Sequence, residues 1–229
     1  MTDLPLWKRL GDLGLALLLL PVVLPLAAAI GLGLRLLQGG PVLHRSTRIG
    51  RGGRPFRMLK FRTMRPDPAD AGVSGGDKAR RITCAGVWLR GSRADELPQL
   101  WNILIGDMSF VGPRPPLPRY VAARPALYAR VLCCRPGLTG LATLRLGAWE
   151  RRLLAPCRSA AETEARYLAR CIPAKARLDL LYARRRSPAL DLWILLATLR
   201  LALPRRRPGL SQILTVFRFA ATGNRRRRP

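Results

Sequence analysis

Asp95 and Glu96 stand side by side in the segment RADELPQLWN, in a chain that holds 13 acidic residues against 41 Lys and Arg. Adjacent carboxylates suit two tasks at once: one attacks as a nucleophile while its neighbour holds a divalent cation through hard oxygen atoms. Arg90, Arg93 and Arg114 lie nearby in sequence, and a carboxylate among arginines stays ionised, as both tasks require. A plainer reading competes: acidic side chains at the start of a helix complement its dipole and need do nothing more.

Three other groups bear on anion chemistry. Lys60 and Arg62 flank Phe61 in KFRTM; on a strand they share one face, a spacing that grips two phosphate oxygens and that a solvated strand face also shows. Gly112-Pro113-Arg114-Pro115 fixes an arginine on a stiff loop, which lowers the entropy cost of holding a phosphate; a helix-to-helix connector has the same composition. His44 is the single histidine and sits beside Arg45, a weak candidate catalyst. One histidine and five cysteines without CxxC spacing argue against a zinc site. The cysteines, Cys133 and Cys134 adjacent among them, read as reduced cytosolic thiols that mostly fill the core.

These residues need elements to position them. Short strands are expected at Val42–Arg45 and Phe56–Arg62, joined through Gly50, Gly52 and Gly53. Pro66–Gly76 reads as a loop. Val87–Arg90 begins a helix, Ser92 caps a second over Ala94–Leu104, and Gly106 ends it. Pro118–Cys134 and Glu162–Leu181 have helical patterns, separated by the turn Arg135-Pro136-Gly137. Leu190–Leu203 is apolar but too short to cross a bilayer, so it packs on the core or lies at the interface. No internal repeat is visible.

From Leu13 to Leu34 the chain carries no charge, close to the ~20 residues that cross a hydrocarbon core. Pro21 and Pro25 fall mid-run, and each removes a backbone donor, so a kink is expected. Lys8 and Arg9 precede the run; Arg35, Arg45, Arg48 and Arg51 follow it. Positive charge at both ends makes either end costly to translocate. A kinked helix that enters and leaves on the same face satisfies both observations; a full span, a signal peptide and a buried core helix are the alternatives. Trp7 and Trp193 flank apolar segments, as interfacial anchors do.

The net charge of +28 points to anionic partners: nucleic acid, acidic lipid or phosphorylated substrate. The 48% hydrophobic content excludes a disordered basic protein. A nucleic-acid-binding protein would fit the charge and Arg225–Arg228, yet it leaves the apolar run and DELPQLWN unexplained. A non-catalytic membrane scaffold would leave the carboxylates unexplained.

The order of motifs resembles the bacterial sugar transferase family, the monotopic polyprenyl-phosphate phosphoglycosyl transferases. The matching pieces are KRLGDLGLALLLLPVVLPL, GGPVLHRSTRIGRGGRPFRMLKFRTM, ADELPQLWNILIGDMSFVGPRPP and RPGLTGL, with a weaker match through IPAKARLDLLYARRRSPALDLWILLATL. DELPQLWN followed in fixed register by GDMSFVGPRP carries most of the specificity. The resemblance implies a re-entrant membrane helix broken at a proline, matched here by Pro25. It implies Asp95 as nucleophile, Glu96 as a magnesium ligand, Arg90 and Arg114 as phosphate binders, and Lys60 and Arg62 near the active site.

The reaction it implies moves a phosphosugar from a UDP-sugar to undecaprenyl phosphate through an aspartyl-phosphosugar, releasing UMP, as the first membrane step of surface polysaccharide or glycan synthesis. The implied setting is the cytosolic face of the bacterial inner membrane, with anionic lipids as partners, no nucleic acid, and room for a homo-oligomer. Departures touch other positions: Ser46 stands where glutamine is common, Cys84 and Val87 replace two arginines, and Ala142-Thr143-Leu144 follow Leu141 where many larger members have Trp-Gln-Val. The expected fold class is α+β: a re-entrant helix with its flanks (1–40), a small cytosolic catalytic domain of mixed helix and strand with interfacial amphipathic helices (41–204), and a basic tail (205–229). The pattern resembles the minimal catalytic form of the family.

Overall fold

The computed structural model describes residues 5–67, 73 and 75–202. The expected basic tail, Arg225–Arg228 included, and most of the Pro66–Gly76 loop lie outside the described residues. The fold is α+β, mostly helical with two small two-stranded sheets.

Helix α1 (Leu6–Gln38) is 33 residues long, about 50 Å at 1.5 Å per residue. It is long and apolar enough to cross a membrane. It exceeds the uncharged run at both ends; at the first, Lys8 and Asp12 find buried partners. It also continues through Pro21 and Pro25, so the break expected at Pro25 does not interrupt the helix. Its contacts follow one stripe. Lys8, Asp12, Ala16 and Leu34 are buried, and Leu20, Val23, Ala27 and Ile30 pack against the core between them. Steps of three and four residues keep these positions on one face. Leu17, Leu18, Val22, Leu24, Leu32 and Leu36, off that stripe, are exposed.

Strands β1 (Leu43–Ile49) and β2 (Pro55–Phe61) form an antiparallel hairpin with Thr47 opposite Arg57. Strand β1 runs four residues past its expected end, since the turn is confined to Arg51–Gly53. Helix α2 (Cys84–Ser92) starts at Thr83, whose hydroxyl accepts the Gly86 N–H at 3.0 Å. Ser92 closes this helix instead of opening the next, although its Oγ accepts the Ala94 N–H at 3.4 Å. Arg93 at φ 58 then reverses the chain, and Ala94–Glu96 form a 3₁₀ turn. Helix α3 (Gln99–Ile105) begins only after Pro98, which has no N–H to continue a helical ladder. It ends at Gly106 (φ 97), whose N–H bonds Asn102 and Ile103 carbonyls. The carboxylate pair therefore sits on the 3₁₀ turn, not in the first turn of an α-helix.

Strands β3 (Ser109–Val111) and β4 (Gly137–Thr139) are parallel. A Cβ on Gly112 would come within 2.4 Å of the Arg135 carbonyl, and one on Gly140 within 2.1 Å of the Gly112 carbonyl. The glycines of GPRP and RPGLTG thus let two backbones cross. The expected helix Pro118–Cys134 is two, α4 (Pro118–Ala123) and α5 (Pro125–Val131), because Pro125 excludes Arg124 from helical conformation. Helix α6 (Leu141–Leu154) follows. The pattern at Glu162–Leu181 resolves into α7 (Ala160–Arg166), a π-helical turn at Tyr167–Cys171 and α8 (Ile172–Arg185). Helix α9 (Pro188–Ala202) completes the fold.

One core gathers Tyr120, Tyr128, Val131, Leu154, Tyr167 and Ile172 from α4–α8. A second joins Ala16 of α1 to Phe56, Met58, Ile103, Phe110 and Ile194. A third joins Leu34 to Phe61 and Leu89. All five cysteines are free thiols, with Cys134, Cys157 and Cys171 buried and Cys84 and Cys133 exposed.

Candidate active site

The carboxylate pair is held from below by β2. Lys60 Nζ donates to Glu96 Oε1 over 2.8 Å and lies 3.8 Å from Asp95 Oδ2. Arg114 Nη2, from the loop after β3, reaches the same Glu96 oxygen at 3.0 Å. Arg93 approaches Glu96 Oε2 at 3.9 Å. Both carboxylates are buried, 8% and 9% exposed. Arg90, in the last turn of α2, bonds Thr63 Oγ1 at 3.4 Å and adds positive potential at Asp95.

The two carboxylates differ. Burial alone would raise Glu96, but Lys60 and Arg114 overcome it and hold Glu96 far below the ordinary carboxylate value. Asp95 is raised, by burial and by its charged neighbour Glu96, against Lys60, Arg90 and Arg114. Burial lowers Lys60 despite the carboxylates, and Glu96 raises Arg114. Glu96 is a fixed anion locked between cations. Asp95 accepts no side-chain hydrogen bond among the described residues, and its one ion-pair contact is the 3.8 Å approach of Lys60. Of the two it is the less constrained carboxylate.

Lys60, Asp95, Glu96 and Arg114 are brought together, with Arg90 alongside. Arg62 is not. Its guanidinium donates to the carbonyls of Gln38 (2.7 Å), Gly39 (3.0 Å) and Gly40 (2.9 Å), capping the C-terminus of α1 where positive charge suits the helix dipole. Strand β2 ends at Phe61, so the alternation that would align Arg62 with Lys60 is already lost.

Two contributors were not singled out from the sequence. Asn102 on α3 donates to Arg57 O at 2.9 Å and accepts the Leu59 N–H at 3.0 Å, clamping β2 to the helix that follows the dyad. Its signal is the last letter of DELPQLWN. Arg48 on β1 donates to Pro115 O at 3.3 Å, beside the Ile49 N–H to Pro116 O bond of 3.0 Å, so β1 braces the Arg114 loop. It has no carboxylate partner among the described residues, and burial and Arg114 lower it to about 10. In sequence it is one of many basic residues after the apolar run, with nothing to distinguish it.

The site holds more cations than carboxylates, the balance a polyanion needs. Among the described residues no three His, Cys, Asp or Glu side chains cluster, so no all-protein metal cage exists. Glu96 Oε2 and the Asp95 carboxylate nevertheless have open coordination. Hard oxygens of this kind fit magnesium, which typically binds one or two carboxylates and completes its shell with water and substrate phosphate.

The fold and site define a class: an α+β protein with a long apolar helix and a buried carboxylate pair set among arginines and a lysine. The chain belongs to the bacterial sugar transferase family, whose profile it matches over residues 4–205. A Caulobacter vibrioides UDP-glucose:undecaprenyl-phosphate glucose-1-phosphate transferase is 47% identical over 146 residues, covering 60% of this chain and 53% of the relative. The sugar transferase EpsL of Bacillus subtilis is 34% identical over 223 residues, 95% of this chain and 97% of the relative. An Aeromonas hydrophila UDP-N-acetylgalactosamine-undecaprenyl-phosphate N-acetylgalactosaminephosphotransferase is 36% identical over 141 residues, 59% of this chain and 33% of the relative. The chain thus spans about half the length of the Caulobacter protein and a third of the Aeromonas one.

Proposed function

We propose that this protein transfers a sugar phosphate from a UDP-sugar to undecaprenyl phosphate in two displacements. The observation that carries this reading is the asymmetry of the pair: Glu96 is locked by Lys60 and Arg114 while Asp95 is buried and largely unencumbered. The relatives' names, UDP-sugar and undecaprenyl phosphate among them, supply the substrate class.

In the first step an Asp95 carboxylate oxygen attacks the sugar-linked phosphorus. The bond from that phosphorus to the bridging oxygen breaks, and UMP leaves with the oxygen. In the second, a phosphate oxygen of undecaprenyl phosphate attacks the same phosphorus, the acyl-phosphate bond breaks, and Asp95 regains its carboxylate. Dividing one hard displacement into two is what covalent catalysis provides. Arg90, Arg114 and Lys60 stabilise charge on the phosphoryl oxygens in a site where water is largely excluded. Glu96, through its Oε2, would hold magnesium, which would neutralise diphosphate charge when bound.

The membrane setting belongs to the same reading. The apolar helix α1, docked through one stripe from Lys8 to Leu34 with leucines exposed off that stripe, supports attachment to the cytosolic face of the inner membrane. The +28 charge would meet anionic headgroups at about 1 kcal/mol per surface residue. The test is UMP release by purified protein with undecaprenyl phosphate, magnesium and a panel including UDP-glucose and UDP-N-acetylgalactosamine. Intact mass after exposure to donor alone should show a sugar-phosphate adduct on wild type that is absent from Asp95→Asn. UMP formation with no adduct, even on rapid quenching, would replace the two-step course with direct transfer.

A further inference from the structure

Within KFRTM, Lys60 turns to the carboxylates and Arg62 caps α1. Thr63, the next residue, lies beyond the end of β2 and is buried, 7% exposed. Both of its oxygens meet one helix, α2. The Thr63 carbonyl accepts the Thr83 N–H at 3.0 Å and the Thr83 hydroxyl at 3.4 Å, where α2 starts. A Cβ on Gly86 would come within 2.1 Å of the same carbonyl, so the first turn of α2 rests directly on the Thr63 backbone. The Thr63 hydroxyl accepts Arg90 Nη1 at 3.4 Å, from the last turn. Thr83 and Arg90 are seven residues apart, about 10 Å along a helix. Side chains lean toward the N-terminus of their helix, which is how Arg90 reaches back to a residue seated under the first turn.

This double contact bears on the reaction site. Arg90 adds positive potential at Asp95, yet Thr63 Oγ1 is the one hydrogen-bond acceptor of its guanidinium among the described residues. A guanidinium carries five N–H donors, so engaging one leaves others for phosphate oxygens. An arginine side chain fixed before the substrate arrives loses less entropy when it binds. A buried hydroxyl that takes one donor and leaves the charge unpaired does this without competing for the anion, as a carboxylate in its place would.

We propose that Thr63 is a positioning residue for Arg90: its carbonyl seats the helix, and its hydroxyl aims the guanidinium at the donor diphosphate beside Asp95. The proposal rests on the phosphate-binding role given to Arg90 under Proposed function and adds the residue that orients it.

The test measures UDP binding by calorimetry, on the full chain in detergent with magnesium, and needs no turnover. Thr63→Val removes the hydroxyl and keeps the backbone carbonyl; Thr63→Ser keeps both. Thr63→Val is expected to weaken UDP binding about fivefold, as loss of one hydrogen bond to a charged group would, and Thr63→Ser less than about twofold. Arg90→Met should weaken it about tenfold, and adding Thr63→Val to Arg90→Met should cost nothing further, the mark of two residues acting through one contact. A hydroxyl that only stabilises the fold would lower the melting temperature in Thr63→Val and leave UDP affinity unchanged, which overturns the proposal. A Thr63→Val penalty that persists undiminished in Arg90→Met, Thr63→Ser as weak as Thr63→Val, or Arg90→Met binding as wild type would overturn it too. Wild type that binds no UDP would remove the donor reading and this proposal together; wild-type binding that ignores Thr63→Val removes this proposal alone.

Discussion

Lys60 and Glu96, brought together from a strand end and a 3₁₀ turn, form a 2.8 Å ion pair that sets two adjacent carboxylates apart. Glu96 is occupied by Lys60 and Arg114 on a single oxygen, and Asp95 is left facing the site. Asp95→Asn is therefore expected to lower UMP release by about a thousandfold or more, the scale on which loss of a covalent nucleophile is felt. Glu96→Gln should retain measurable turnover with a weakened response to magnesium. Near-normal turnover in Asp95→Asn would remove Asp95 from the mechanism.

The same pair sets a pH dependence. Asp95 titrates above the ordinary carboxylate value because burial and Glu96 raise it more than Lys60, Arg90 and Arg114 lower it. Nucleophilic activity falls as pH drops through that value. Lys60→Met removes the strongest of the charges holding Asp95 down, so the acidic limb of kcat/KM moves to higher pH. A limb that stays in place or moves down would show that Lys60 does not control Asp95.

Arg48 acts on the loop carrying Arg114 through Pro115 O. Arg48→Met is expected to raise KM for the UDP-sugar by about tenfold while kcat changes less, since a half-buried cation and a loop brace are lost together. Arg48→Lys, which keeps charge but not the guanidinium fork, should fall between. Equal losses in kcat and kcat/KM would place Arg48 in the transition state instead.

For Arg62 the structure and the strand pattern predict different outcomes. As a cap on α1 it donates to three carbonyls, so Arg62→Ala should lower thermal stability by about 1–3 kcal/mol with kcat/KM within about threefold of wild type. A hundredfold loss of kcat/KM at unchanged stability would restore it as a phosphate ligand.

Buried Lys8 and Asp191 join the start of α1 to the start of α9. Lys8→Met alone leaves a buried carboxylate short of its cation, a change expected to cost about 3–5 kcal/mol in detergent unfolding. Adding Asp191→Leu should recover much of that loss. No recovery in the double variant would mean that the Tyr182 hydrogen bond to Asp191 matters more than the pair.

The sequence by itself determined the carboxylate pair, the stiff Arg114 loop, the hairpin and the apolar helix. Each is written in local terms: adjacent acids, prolines around an arginine, glycines between alternating strands, and an uncharged run long enough for a bilayer. Local terms also fixed where α3 stops, since Gly106 adopts a conformation few other residues tolerate. The tertiary structure alone decided how these parts meet. Nothing in KFRTM says that Lys60 turns toward Glu96 while Arg62 caps a helix more than twenty residues earlier; that follows from where β2 ends and α1 docks. Arg48 was invisible among its basic neighbours because charge is common in this chain and burial is not a local property. The buried pair of Lys8 and Asp191, likewise, exists only where the starts of α1 and α9 converge from opposite ends of the chain.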